Sequence, residues 1–67
     1  MRDAVCDGLG IGLTVTAKQL QAGRNGTAKA ALVGVAELAD AAFRVGALTG
    51  LERSLMSDNA RYVAGRL

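Results

Sequence analysis

The stretch GLGIGLTVT, residues 8–16, decides the fold of this chain, because it can form either a strand or a helix. Its glycines alternate with leucine and isoleucine, which is the pattern of a β-strand. Gly8 and Gly12, however, stand four residues apart, as small residues on one side of a helix do. A strand would need a partner, and the only other β-branched run, residues 32–35, lies inside a strongly helical segment. We therefore predict a helix over about residues 3–22, at a propensity cost of roughly 1 kcal/mol per glycine.

The second helix follows from turn residues. Two glycines and an asparagine in GRNG, residues 23–26, favour the end of the first helix and a reversal of the chain. Thr27 then stands where an N-cap residue is expected. The alanine-rich, proline-free segment that follows predicts a helix over about residues 28–48. Its charged residues fall within one narrow stripe of the helical wheel.

The third helix follows from a capping signal. Thr49 and Glu52 have the spacing of a capping box, in which each side chain bonds the exposed backbone N–H of the other. This predicts a helix over about residues 50–66. The expected fold is all-α, an antiparallel helical hairpin plus a third C-terminal helix, forming a single domain over residues 1–67 and packed in a homo-oligomer.

The composition indicates a core with little area to bury. Of 67 residues, 13 are alanine and nine are glycine, and only two are aromatic. Alanine hides little apolar surface, and a chain of this size gains little net stability from its own core. We therefore expect this protein to bury apolar surface against copies of itself.

Small and apolar residues at helical spacing indicate where such packing occurs. The residues expected at helix-packing interfaces are Gly8, Leu9, Gly12, Leu13, Gly34, Gly46, Met56, Val63 and Leu67. In the third helix, a ridge of Leu51, Leu55 and Tyr62 is expected to pack on the hairpin. A second ridge of Met56, Val63 and Leu67 is expected to meet another chain.

The sequence offers little for catalysis. It has no histidine and one cysteine, so common nucleophile–base pairs and zinc sites cannot be assembled from one chain. We expect no enzymatic activity, catalytic residue, metal ligand or cofactor. Glu37 and Asp40 lie three residues apart on one helical face, where two carboxylates could act as a general acid and base. We interpret them instead as part of a solvated charged stripe, in which Asp40 pairs with Arg44 four residues further along the chain. Cys6 is interpreted as a small core residue, and a chain with one cysteine needs no oxidising compartment, which favours the cytoplasm or an assembly formed there.

A nucleic-acid-binding function is the main alternative. Lys18, Arg24 and Lys29 converge on the turn between the first two helices, where a helix–turn–helix could contact DNA. The net charge of +2 is a weak bias towards anionic partners. The alternative is thus a small dimeric helix–turn–helix regulator.

The glycine repeat GLGIG also resembles, over about residues 8–46, the hairpins of proton-ring subunits of ATP synthases. Lys18, Asp40 and Arg44 interrupt the segments that would face lipid, so we predict no membrane span. The preferred interpretation is a non-enzymatic helical assembly protein. It would be a building block of a homo-oligomer, filament or shell, or an accessory subunit of a larger complex.

Overall fold

The computed structural model describes residues 1–67 and contains helices and turns but no strand. The elements are α1 (Arg2–Gln21), α2 (Asn25–Arg44), α3 (Gly50–Arg53), a π-helical turn (Ser54–Asp58) and α4 (Asn59–Arg66). The last three follow one another without a break and are called the C-terminal helix, residues 50–66. The all-α prediction is confirmed, and the opening glycine-rich stretch is helical.

Glycines end both long helices. Gly23 and Gly46 have positive φ angles of 74° and 79°. Beyond Gly46, the N–H of Ala47 donates to the carbonyl of Ala42 at 2.8 Å, which is the wide bond of a Schellman motif. Helix α2 therefore ends at Arg44 and not at residue 48, where the sequence predicted its end. Nothing in the chain lies within 4 Å of the position that a Cβ on Gly46 would take, so within the chain this glycine ends α2, and its place at an interface between copies stays a prediction.

The starts of the helices differ in how they are capped. α2 begins at Asn25, three residues earlier than predicted, with Arg24 as its N-cap. Thr27 lies inside the helix and is not a cap, because the tight glycine turn reverses the chain soon enough for the helix to start before it. The predicted capping box is confirmed: the N–H of Glu52 donates to Thr49 Oγ1 at 3.1 Å, and the N–H of Thr49 donates to Glu52 Oε1 at 2.9 Å.

The long helices α1 and α2 form an antiparallel hairpin. Gly12 lies against Val35 near the middle of the pair, and Gly8 lies against Leu38 further from the turn. At the far end, the guanidinium of Arg2 donates to the carbonyl of Ala47 at 3.2 Å. Contacts therefore run along the length of the hairpin.

Helix α2 is the centre of the fold. Both α1 and the C-terminal helix pack against it, whereas these two do not pack against each other. The molecule measures 35 × 20 × 13 Å along its principal axes. Seven of the eleven buried hydrophobic residues are alanines, and the core consists of Leu9, Ala28, Leu32, Val35, Ala36, Ala39, Ala42, Ala47, Leu48, Ala60 and Ala64.

Candidate functional site: an open apolar groove

An apolar groove opens between the two outer helices because their backbones do not pack against each other. Its volume is about 260 Å³, and seven of its eight lining residues are hydrophobic. They are Leu13 from α1, Leu32 and Val35 from α2, and Leu55, Met56, Asn59, Ala60 and Val63 from the C-terminal helix. All three helices thus contribute to one apolar surface.

The walls of the groove are accessible to solvent. Leu32 and Val35 form a buried floor, whereas Leu13, Leu55 and Val63 keep 44%, 55% and 42% of their surface exposed. Full burial of such a side chain stabilises by about 1.5–3 kcal/mol. Roughly 1 kcal/mol per wall residue is therefore still available to a molecule that covers the groove.

The π-helical turn supplies part of this lining. At 3.6 residues per turn, residues four apart in an α-helix drift around the axis by about 40° per step. A π turn contains more residues per turn, which offsets this rotation. Leu55 and Asn59 therefore lie on the same side of the helix as Val63. Turns of this kind inside helices occur frequently at functional sites. Because the π turn lies in the wall of the groove, this surface is the candidate functional site.

An ion cluster fixes the C-terminal helix to α2. Asp40 accepts from Arg61 at 2.8 Å and from Arg53 at 3.4 Å, and the Arg53 guanidinium lies 5.4 Å from the centre of the Phe43 ring. The hydrogen bond from Arg61 lowers the pKa of Asp40, and those from Ser57 and Arg53 add to the effect. The predicted Asp40–Arg44 pair is not formed, since guanidinium groups of another helix reach the carboxylate. A carboxylate held ionised in this way is suited to docking a helix and not to donating a proton.

A second ion pair joins the outer helices at one end of the molecule. Both Nη atoms of Arg2 donate to the carboxylate of Glu52, in a bidentate pair. The pair raises the pKa of Arg2, and the same bonds, with those from Thr49, lower the pKa of Glu52 to about 2. Helix α1 and the C-terminal helix are therefore tied together at their N-terminal ends, although their bodies stay apart.

The predicted interface glycines have different environments. A Cβ atom built on Gly12 would lie 2.6 Å from Val35 Cγ2, and one on Gly8 would lie 3.1 Å from Leu38 Cδ2. Both glycines therefore serve the close approach of α1 to α2 within the chain. Gly34 is exposed, and nothing lies within 4 Å of the position its Cβ would take. Leu9, also in the predicted set, is buried in the core.

The ridge that was expected to pack on the hairpin does not do so, and Met56 of the second ridge packs within the chain, whereas the contact of Val63 and Leu67 with another chain stays a prediction. Met56 packs on the core, whereas Leu51 and Tyr62 are 71% and 61% exposed. The buried face is set by Ala60, Ala64 and the fully buried Ser57, which let the helix approach α2 closely. This row of small residues is the signal that the sequence interpretation missed.

Cys6 is also placed differently from the prediction. Its thiol is free and its side chain is exposed. It precedes the buried Leu9 by three residues but points away from the core, because α1 turns a narrow face, marked by Gly8, Gly12 and Thr16, towards α2.

The basic residues of the alternative interpretation lie near the hairpin turn. Lys18, Arg24 and Lys29 are all exposed, and Arg24 donates to Gln19 Oε1 at 3.5 Å. In a helix–turn–helix the two helices cross at about 90–120°. Helices of 20 residues, about 30 Å long, would then diverge, whereas α1 and α2 stay in contact to their far ends.

No group of three or more His, Cys, Asp or Glu side chains comes close enough to hold a metal ion. None of the helices combines the length and hydropathy that a membrane-spanning helix needs. Comparison of the chain with family models, curated proteins and solved structures finds no match.

Proposed function

We propose that this protein is a non-enzymatic, cytoplasmic assembly protein that associates with copies of itself through the open apolar groove. The observation that carries the proposal is the exposure of Leu13, Leu55 and Val63 around a floor already formed by the core. A groove that is nearly free of polar lining fits another apolar helix face. The free thiol of Cys6 is compatible with a reducing compartment.

The size of the broad face supports a self-association interface. Principal-axis extents of 35 × 20 Å give a projected area of roughly 700 Å². Stable protein–protein interfaces bury about 800 Å² on each partner. A dimer of standard size would therefore use nearly the whole of one broad face, and a two-fold homo-oligomer can do this symmetrically.

Energetics favour the same conclusion. The core is composed largely of alanines, which remove little apolar area from water. Covering the groove adds leucine and valine side chains to that core. Self-association would therefore supply stability that the isolated chain lacks, as is common for small domains.

Nucleic-acid binding is less well supported by the geometry. The three basic residues are exposed at one end of a long antiparallel hairpin, and the apolar groove plays no part in that interpretation. Three charges would give a weak and salt-sensitive affinity for DNA. A gel shift at two salt concentrations tests it directly. Binding that disappears on joint replacement of Lys18, Arg24 and Lys29 would favour the regulator.

The assembly proposal is tested by solution mass as a function of concentration. We expect sedimentation or light scattering to show an oligomer of the wild-type chain. Leu55→Glu places a charge on the groove wall and is expected to shift the protein to monomer. Ile11→Glu is the matched control, because Ile11 is an exposed aliphatic residue of α1 outside the groove lining.

Each result decides the proposal. A wild-type chain that stays monomeric at high concentration contradicts self-association. An oligomer that survives Leu55→Glu but dissociates with Ile11→Glu removes the groove as the interface. Circular dichroism of both variants checks that helix content is retained, as expected for substitutions at exposed positions.

A further inference from the structure

The C-terminal helix carries an exposed apolar seam next to the groove. Leu51, Leu55, Val63 and Leu67 are 71%, 55%, 42% and 37% exposed. They follow one another at intervals of four, eight and four residues, and Asn59 fills the gap in the middle. The π turn keeps Leu55, Asn59 and Val63 together on the groove side. The seam is therefore apolar at both ends and polar at its centre.

This seam is complementary to itself when two copies run antiparallel. With Asn59 opposite Asn59 of a second copy, Leu55 meets Val63 and Leu51 meets Leu67. Every exposed apolar position of the seam thus acquires an apolar partner. A two-fold axis produces this arrangement, because residue i contacts residue j and residue j contacts residue i.

The charges of the helix favour the antiparallel direction. In that register Arg66 of one copy comes beside Glu52 of the other, whose carboxylate also holds Arg2 of its own chain. A parallel arrangement would instead set Arg66 against Arg66, a cation that forms no ion pair within the chain. Like charges facing one another across an interface oppose association. The charges of this helix therefore favour an antiparallel second copy over a parallel one.

Asn59 gives this pairing its register. It is the only polar residue that lines the groove. In parallel coiled coils a single polar core residue specifies register and oligomeric state. In an antiparallel pair two equivalent asparagines meet only at the two-fold axis, where their amides can bond each other. Any shift along the seam would bury that amide against leucine or valine without a hydrogen-bond partner.

We infer that two copies pair through their C-terminal helices, antiparallel about a two-fold axis at Asn59, so that each helix covers the groove of the other copy. This inference rests on the proposed self-association and specifies its geometry. The cross-section around each groove then contains α1, α2 and two C-terminal helices, which completes a four-helix arrangement.

Disulfide trapping tests the axis. The Asn59→Cys variant is made in a Cys6→Ser background and oxidised with glutathione disulfide. We expect nearly complete conversion to a covalent dimer, because Cβ atoms across a two-fold axis can reach the roughly 4 Å separation that a disulfide needs. Gln21→Cys in the same background is the control, since Gln21 is exposed at the C-terminal end of α1, next to the hairpin turn and outside the groove lining, and it should stay largely monomeric on a non-reducing gel.

A mixed experiment tests the direction of the helices. Leu55→Cys and Val63→Cys chains, both in the Cys6→Ser background, are combined and oxidised. The antiparallel register predicts a mixed disulfide between the two chains. A parallel register predicts that Leu55→Cys alone forms the dimer, and this result would overturn the inference.

Charge substitution at the axis gives a test without oxidation. Asn59→Asp and Asn59→Lys should each weaken self-association by about 100-fold, because like charges then face each other. Mixing the two variants should restore a dimer of one copy of each. If the wild-type chain oligomerises but neither variant alters its association and residue 59 does not cross-link, the two-fold geometry is wrong while self-association stands. If the wild-type chain is monomeric, both proposals fail.

Discussion

Replacing three glycines of α1 by alanine, one at a time, separates the packing role of a glycine from its helix propensity. Alanine in a helix interior is favoured over glycine by about 1 kcal/mol. At Gly10 nothing lies within 4 Å of the new Cβ, so Gly10→Ala should raise the free energy of unfolding by about that amount. This variant measures the propensity effect alone.

At Gly12 the same substitution meets a fixed obstacle. The new Cβ would lie 2.6 Å from Val35 Cγ2, and valine in a helix has essentially one χ1 rotamer. Overpacking of this kind costs about 1–3 kcal/mol. Subtracting the propensity gain leaves Gly12→Ala destabilised by about 1 kcal/mol. Gly8→Ala should fall between the two, because its Cβ would lie 3.1 Å from the flexible end of Leu38.

Thermal unfolding followed by circular dichroism provides the assay. For a domain of this size, 1 kcal/mol corresponds to a Tm shift of about 4–8 °C, so Gly10→Ala and Gly12→Ala should differ by roughly 10 °C. All variants must be compared at one chain concentration, because association raises Tm by mass action. If Gly12→Ala raises Tm as much as Gly10→Ala does, α1 is not packed closely on α2, and the account of the opening stretch is wrong.

Three further predictions concern the turn and the ion pairs. Gly46→Ala should lower the free energy of unfolding by about 1 kcal/mol in urea titrations, because the left-handed backbone at φ 79° disfavours a Cβ; unchanged stability would contradict the helix-ending role. Glu52→Gln retains a capping side chain but loses the ion pair with Arg2, whose hydrogen bonds lower the pKa of Glu52 from 4.5 to about 2. Because the pKa of Glu52 is lower in the folded chain than in the unfolded chain, the ionised carboxylate stabilises the fold fully above pH 4.5, and this contribution is lost as the pH falls towards 2. The difference in Tm between Glu52→Gln and the wild-type chain should therefore be largest above pH 4.5 and should disappear towards pH 2. Asp40→Asn should lower Tm more than the exposed control Asp58→Asn, because only Asp40 holds guanidinium groups of the C-terminal helix; equal shifts would remove the cluster as the anchor of that helix.

The features that sequence predicted well are local ones. The helix-ending role of Gly23 and the reciprocal bonds of Thr49 and Glu52 each depend on a few neighbouring residues, and the structure confirms both. Gly8 and Gly12 could be recognised as sites of close approach from their spacing. Their contact partner on α2 could not be read from it.

What the sequence did not reveal depends on long-range geometry. Leucine and tyrosine suggested the buried side of the C-terminal helix, but Ala60 and Ala64 define it, because a close approach to α2 matters more there than side-chain size. The partners of Asp40 are 13 and 21 residues away, beyond any helical spacing rule. The π turn has no clear sequence signal, so the alignment of the groove lining became visible only in the structure.

The alanine-dominated core also determines which sequence changes this fold can accept during evolution. In most proteins the damaging core substitutions are truncations that leave cavities. Here most buried side chains are already as small as alanine, so only a few positions, such as Leu32 and Leu48, have much left to lose. Almost every replacement at the alanines instead enlarges the side chain and forces the helices apart. The interior should therefore drift mainly among alanine, serine and glycine, whereas no contact within the chain limits the size of the most exposed side chains, such as Ile11 and Leu51.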